Sequence, residues 1–494
     1  MSDADDPDLL PEDHPPLPDP EDLPTPRDLA IAAAEARLDG PGLRPAPTPP
    51  PAIELEAGWG DHALDQLEVL RADLGGRRVG IAISGGGSLG SFEAGVLRFL
   101  YDHAAIAPVA IAGNSAGALN AAKLAEGDRP GGPRAIDEVD RVWRSLRINA
   151  DMWEPEPWLT RLQASASWAA AVRGHLADGA TGTNAVRVAA KVVGSLVRRP
   201  PETDGALDAV REALTAQSLL SIDPVATLLR DQLDAQLVAT SGIALRVGAV
   251  SLESGELRYV TEDGHLHDRH DRPLGLEPVS LADGVLASAS IPIAFPPVRL
   301  GDEHYVDGGA REILPLEILV HHLEVDRVVA VSAGSVGVRP IASFAERSLL
   351  DILRRVSAEI GPDETLRKEL SPPGGWAETV RLVVPAYDVH DSMTIDPALI
   401  AISMDHGWMR AADLLLDLGP EAAELTVSLT ETRVQLRRLG GALATLFGGD
   451  ATGHVQPDDG RDEAELLALL RATATSRRDL GAPVPPSLLA WLDS

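Results

Sequence analysis

Along the first 53 residues apolar positions follow no period and prolines interrupt them repeatedly; from Ser2 to Thr25 every charged side chain except His14 is Asp or Glu. Such a segment holds too little apolar surface to offset the entropy of ordering, so it is predicted to be disordered, with a short Ala-rich helix from Asp28 to Leu38 ahead of a second proline stretch through Pro51. The folded part is expected to begin near Glu54, with a helix across Asp61 to Leu74. Val79 to Ile83 is then a short apolar run ending at glycines, and Phe92 to His103 places Val96, Leu97, Phe99 and Leu100 at helical spacing. A buried strand over Pro108 to Ala112 and a helix over Ala116 to Leu124 repeat the pattern.

Strands that alternate with helices predict an α/β fold with a mostly parallel sheet flanked by helices. Between about residues 129 and 234 the strand signals fade and Ala-rich helical stretches replace them, which reads as a helical insertion. Strands return at Leu245 to Val250 and, after a Glu253-Ser254-Gly255 turn, at Leu257 to Val260, then at Val328 to Val331 and Val380 to Val384. Beyond Leu416 the pattern is that of charged amphipathic helices, interrupted by a polar loop from Gly448 to Gly460. The expected division is an acidic tail (1–53), a main domain with its insertion (54–416) and a C-terminal helical extension (417–494).

Charge and composition narrow the partners. The formal net charge of −32 argues against nucleic acid, whose phosphates need clustered Lys and Arg. The absence of cysteine excludes disulfides, thiolate metal sites and a cysteine nucleophile. The acidic start has neither the basic residues nor the apolar run of a secretory signal, and no apolar stretch reaches the roughly 18 residues of a membrane span, so residence in the cytoplasm is the expectation.

The strongest candidate chemistry is Gly113-Asn114-Ser115-Ala116-Gly117, between a predicted strand and a predicted helix. Small flanking residues permit the sharp turn that pushes a serine hydroxyl out of a sheet edge, and the helix N-terminus adds a positive dipole end. Upstream lies Ser84-Gly85-Gly86-Gly87-Ser88-Leu89-Gly90. As a dinucleotide loop it lacks the acidic residue at the end of the next strand, and as a nucleotide-triphosphate loop it lacks Gly-Lys-Ser/Thr. As an oxyanion hole, its glycines offer unhindered amides. A serine also needs a base. Asp307, followed by Gly308 and Gly309, offers a carboxylate; His390 and His406 stand in the order Ser, Asp, His that a triad would use.

Together, Gly85 to Gly90, Gly113 to Gly117, Ala287-Ser288-Ala289-Ser290-Ile291-Pro292 with Phe295-Pro296-Pro297-Val298, and Asp307-Gly308-Gly309 resemble, in order, the motif series of patatin-like phospholipases, over roughly Arg78 to Ser335. The resemblance implies a three-layer α/β/α fold that cleaves lipid acyl esters with a Ser-Asp dyad, without cofactor or metal. Ser115 would be the nucleophile and Asp307 the base, and Gly86 and Gly87, with Gly85 beside them, would supply the oxyanion hole. Gly90, Gly113, Asn114, Ala116, Gly117, Gly308 and Gly309 would support the motifs, and Pro292 would be structural. The chain departs from the pattern at Leu89, where relatives commonly carry Arg or Lys, and at Ile313, where they often carry Asn.

Two other readings stay open: a soluble esterase or thioesterase with a Ser-His-Asp triad, and a catalytically weak lipid-binding scaffold. The partner expected is a lipid or other acyl ester. Peripheral membrane contact is suggested by Asn184 to Pro200, which carries Arg187, Lys191, Arg198 and Arg199 without an acid, although a cap helix packed on the core explains it as well. Trp143, Trp153, Trp158 and Trp168 crowd into the insertion, as core packing, as the wall of an acyl pocket or as residues at a lipid surface.

Overall fold

The structure is a computed structural model that describes residues 58–163, 211–439 and 461–492, with short omissions at 130, 213–214 and between 339 and 377. The acidic tail, the Asn184 to Pro200 segment, Trp168 and the Gly448 to Gly460 loop lie outside the described residues. In chain order the elements that build the site are α1 (Asp61–Leu74), β1 (Val79–Ile83), α2 (Gly90–Asp102), β2 (Pro108–Gly113), α3 (Ala116–Leu124) and α4 (Ala135–Ser145). There follow β3 (Glu154–Pro155), β4 (Leu220–Ser221), α5 (Asp223–Gln232), β5 (Ala244–Ser251), β6 (Leu257–Thr261), β7 (Leu266–Asp268), α6 (Leu281–Ser288), β8 (Val298–Leu300), β9 (Glu303–Asp307) and β10 (Arg327–Val331). The chain continues through α7 (Gly361–Leu370), β11 (Val380–Val383), α8 (Pro397–Leu415), α9 (Gly419–Leu439) and α10 (Glu463–Asp479).

The main sheet runs β11-β10-β1-β2-β5-β6-β7, parallel from β11 to β5 and antiparallel from there, with β9 on β5 and β8 on β9. Its two faces are graded by residue size. Ile81, Ile83, Ile111, Leu245 and Val247 point into the larger core with α1, α2, α3 and α8, whereas the intervening Ala82, Ala110 and Ala112 point to the opposite face, toward Leu314, Leu316, Ile318, Leu319 and Leu366 of α7. Period-2 alternation within nearly continuous apolar runs is what a sheet covered on both faces requires. The antiparallel pair β5 and β6 falls where the strands and the turn between them were expected, whereas β7 and β8 were not legible because three-residue strands carry too little pattern. The insertion also contains a two-residue ribbon, β3 with β4, that its helical composition concealed.

Helix α8 is buried at every residue except Leu414, including the polar Asp405, His406, Arg410 and Asp413. It crosses α2 at backbone distance: a Cβ on Gly95 would lie 1.9 Å from the Met404 carbonyl oxygen, and one on Gly407 would lie 2.0 Å from that of Phe92. On its far side the charged pattern of α9 and α10 turns inward rather than to solvent. Arg433 donates to Asp405 (2.7 Å), Arg437 pairs with Asp396, and Arg477, fully enclosed, donates to Asp413 (2.7 Å), to the Ala422 and Pro483 carbonyls and to Thr426. The chain after α10 returns to the start of α1, where the Gly60 amide donates to the Gly481 carbonyl at 2.9 Å. The C-terminal helices thus complete the cover of α8. Apolar spacing cannot distinguish a charged face that meets water from one that meets a complementary charged face.

Arg477→Met leaves the buried Asp413 carboxylate with only the longer Arg410 contact of 3.5 Å as a cation partner and should cost roughly 3 kcal/mol, read as a lowered thermal midpoint. The double variant Arg477→Met with Asp413→Leu should recover part of that loss.

Candidate active site

One edge of β5 carries two strands in succession. β2 pairs with its first half in parallel, from Ala110 opposite Ala244 to Gly113 opposite Val247. β9 pairs with its second half antiparallel, from Asp307 opposite Ala249 to Tyr305 opposite Ser251. The two therefore run toward one another along β5, and their C-terminal ends converge beside Gly248. A Cβ at Gly248 would lie 2.1 Å from Asn114 Oδ1, and one at Gly308 would lie 2.5 Å from the Gly248 carbonyl oxygen and 2.7 Å from Asn114 Oδ1. Ser115 and Asp307 are the residues carried just past and at these two ends.

Ser115 turns the chain from β2 into α3 with φ 56° and ψ −128°, a strained conformation for a residue with a side chain. The turn closes because Gly117 comes so near β1 that a Cβ would sit 2.0 Å from the Ser84 carbonyl oxygen, and a Cβ on Gly113 would meet that of Gly117 at 2.4 Å. The α6 segment clamps both ends. Ser288 Oγ accepts the Ser115 amide at 3.0 Å, and the Ser290 carbonyl accepts the Asp307 amide at 3.0 Å. Asn114 Nδ2 reaches across to the Glu312 carbonyl at 2.8 Å.

Asp307 is 5% exposed and its carboxylate accepts the Gly309 amide at 2.7 Å. Burial raises its pKa to about 6, while the Ser115 hydroxyl and the Gly309 amide pull it back. Behind the loop, Glu369 accepts the Ile313 and Leu314 amides, each at 2.9 Å, and Tyr259 donates to Glu312 at 2.6 Å. Backbone contacts therefore anchor the loop at Ile313. Burial pushes Glu312 up to about 7 and, with the Glu312 charge adding to it, Glu369 to about 8.

The glycine-rich loop passes beside Ser115, so close that a Cβ on Gly85 would meet Ser115 Cβ at 2.4 Å and Oγ at 3.2 Å. Gly87 adopts φ 58°, and a Cβ there would collide with the Ser392 carbonyl at 2.1 Å. That same carbonyl accepts the Ser88 amide at 2.9 Å, and Leu89 N–H bonds back to the Gly86 carbonyl at 3.2 Å. Among the described residues the Gly86 and Gly87 amides donate to nothing. Gly90 packs against Trp143 and Ala116. Beneath the loop Trp143 donates to Asn120 (2.8 Å), Asn120 to Glu93 (3.1 Å), Ser84 Oγ contacts Glu93 (3.2 Å), and the Ala333 amide donates to Ser84 Oγ (2.9 Å). Full burial raises the Glu93 pKa well above its ordinary value. Glu93, Asn120, Gly248, Ser392 and Glu369 were missed in the sequence because nothing in their neighbours marks them.

Both candidate histidines are engaged away from Ser115. His390 stacks its polar edge on the glycine loop: Nδ1 donates to the Asp391 carbonyl at 2.8 Å and lies 3.3 Å from Ser88 Oγ, and Nε2 lies 3.5 Å from Ser91 Oγ. Burial lowers its pKa. His406 is enclosed in α8, where Nε2 accepts the Ala386 amide (3.3 Å) and Nδ1 meets Thr430 Oγ1 (2.9 Å). Burial lowers its pKa to about 3, so it stays neutral. Beside Ser115 and Gly87 opens a cleft with apolar walls, among them Leu119, Met152, Trp153, Val225, Ile291 and Phe295. Of the insertion's tryptophans, Trp153 lines this cleft, Trp143 lines a neighbouring apolar cavity and Trp158 is buried.

Fold and geometry together define an α/β protein with a strained serine at the carboxyl end of a parallel strand, facing a glycine loop and a buried aspartate. Residues 81–320, somewhat less than half of the chain, match the family model described as patatin-like phospholipase, so the chain carries a segment similar to that family. No curated protein sequence matches the chain. Among solved structures, VipD from Legionella pneumophila is 15% identical, over 84% of this chain and 90% of that one, with a TM-score of 0.33. Human GIVD cytosolic phospholipase A2 is 11% identical, over 66% of this chain and 53% of that one, with a TM-score of 0.25. Its complex with methyl gamma-linolenyl fluorophosphonate is 12% identical over 78% and 64%, with a TM-score of 0.29. Among the described residues no helix is long and apolar enough to cross a membrane.

Gly248→Ala should drive its new methyl into Asn114 and separate the two strand ends, costing roughly 1–3 kcal/mol of stability by overpacking. Thermal melting reads that cost, and a matched loss of ester hydrolysis should accompany it.

Proposed function

We propose that the protein hydrolyses the acyl esters of lipids, in the manner of a phospholipase A or lysophospholipase, with Ser115 as nucleophile and Asp307 as general base. The observation that carries this reading is the pairing of a strained Ser115 with a buried Asp307 whose pKa, about 6, suits a base that is ionised at neutral pH yet still accepts a proton. The positions of His390 and His406 count against a triad.

As Ser115 Oγ attacks the ester carbonyl, its proton passes to Asp307, and the negative charge that forms on the carbonyl oxygen is met by the unengaged Gly86 and Gly87 amides. Collapse of the tetrahedral intermediate expels the lipid alcohol, which takes the proton from Asp307 and leaves an acyl-serine. Water then gives a proton to Asp307 and its oxygen to the acyl carbon, and the fatty acid leaves as Ser115 recovers its proton. The apolar cleft receives the acyl chain. The oxyanion loop lacks a cation at Leu89; Ser392, His390 and the Glu93 network hold it instead.

Ser115→Ala and Asp307→Asn should each lower ester turnover by at least about 10⁴-fold, the scale seen when a nucleophile or its partner is removed. His406→Ala and His390→Ala should stay short of the ~10²-fold loss that marks removal of a general base. Serine-dependent turnover lost with either histidine would sink the dyad. The wild-type kcat/KM should rise with pH through an apparent pKa of about 6, because Asp307 is active only when ionised. A flat profile between about pH 5 and about pH 7 would speak against Asp307 as base.

A further inference from the structure

Outside the catalytic cleft, His270, Glu317 and His322 form a cluster of another kind. One donor atom from each lies within 4.8 Å of the other two. The two imidazoles face one another edge to face, with ring centroids 5.4 Å apart. From these three side chains we infer a binding site for a divalent transition ion of the zinc class.

Three independent features point to a ligand there. His322 Nε2 is shielded from solvent and has no hydrogen-bond partner, an unusual state for a buried ring nitrogen and one that coordination would satisfy. The backbone at Ile318–His322 is a π-helix, closed by the Leu323 amide on the Ile318 carbonyl at 2.9 Å. Glu317 and His322 are five residues apart, which on an α-helix would turn them well away from each other; the wider π turn stacks them on one side. Such turns are rare and recur at functional sites. Finally, Arg269 donates to Glu317 Oε2 at 3.0 Å, which orients the carboxylate and leaves Oε1 for the ion.

The third ligand is presented by a rigid turn. Asp268 Oδ1 accepts the His270 amide at 2.8 Å, and Arg246 grips Asp271 through two hydrogen bonds, of 2.6 and 2.9 Å. Zinc bonds of ~2.1 Å bring tetrahedral donors to roughly 3.4 Å from one another, so the donor atoms need to close by at most roughly 1.4 Å. His270 is exposed and has room to do so. Two imidazole nitrogens with one carboxylate suit zinc rather than magnesium or calcium, which take oxygen ligands, and three protein ligands leave a fourth position for water. The π-helix packs under β1, β2 and β10, and Glu317 lies near enough to Glu312 for its charge to raise that residue's pKa. An ion here would therefore pin the turn after β7 to the segment that follows the Asp307 loop.

The test is calorimetric titration of zinc sulfate into untagged, chelator-treated full-length protein, with magnesium chloride as the control. One zinc ion per chain should bind, magnesium should not, and zinc should raise the thermal midpoint. His322→Ala and Glu317→Gln should each weaken binding beyond the ~10–100-fold typical of losing an outer-shell contact, and should abolish the thermal shift. His321→Ala, which alters the exposed neighbour outside the cluster, should change neither. Glu317→Gln keeps the carboxamide's shape, and equal circular dichroism and melting of the metal-free variants excludes misfolding as the cause. No saturable zinc binding by the wild type, or binding undiminished in both His322→Ala and Glu317→Gln, overturns the site.

Discussion

The geometry of the candidate site depends on the sharing of one edge of β5 by β2 and β9. Two chain ends arriving from opposite directions meet at Gly248, and backbone hydrogen bonding fixes their separation more tightly than side-chain packing would. Ser115 and Asp307 inherit that rigidity. Where a carboxylate and a hydroxyl must meet within hydrogen-bond reach, a placement set by sheet register leaves little to conformational search. The absence of a side chain at Gly248 lets Asn114 lie across the junction and hold the Asp307 loop through Glu312.

The strain at Ser115 is maintained by neighbours on several sides. Ser288 and Ser290, two residues apart, take the amides of Ser115 and Asp307 and so tie the two halves of the site to one helix end. A positive φ costs of order 1–3 kcal/mol and persists only where the surroundings overdetermine it. Here the close passage of Gly117 beneath Ser84, the Ser288 clamp and the start of α3 supply that overdetermination.

Burial does the electrostatic work. Asp307, Glu93, Glu312 and Glu369 are raised because their charged forms are poorly solvated, yet their surroundings assign them different tasks. Asp307 retains the Gly309 amide and the Ser115 hydroxyl and remains close to the neutral range. Glu93 serves as a hydrogen-bonding strut under the glycine loop, between Ser84 and Asn120. The same low-dielectric environment holds His406 unprotonated inside α8, as a bridge between Ala386 and Thr430.

The sequence by itself determined the local features: the strands at Val79 and Pro108, the helices at Asp61 and Ala116, the tight turn at Ser115 and the glycines on either side of it. Each follows from apolar period or from backbone freedom among neighbours in the chain, which are local properties. The residues offered Asp307 beside two histidines as a base, and the resemblance in motif order favoured Asp307. Only the tertiary structure decided that β9 continues the edge left by β2, that Ser288 and Ser290 bridge the two motifs, that Ser392 buttresses Gly87 more than three hundred residues away, and that Arg433, Arg437 and Arg477 face inward. Those are contacts between distant segments, set by strand register and by which helix face meets which partner. The gathering of His270 with Glu317 and His322 is of the same kind, because a π turn and a hairpin end must come together before the three resemble a site at all.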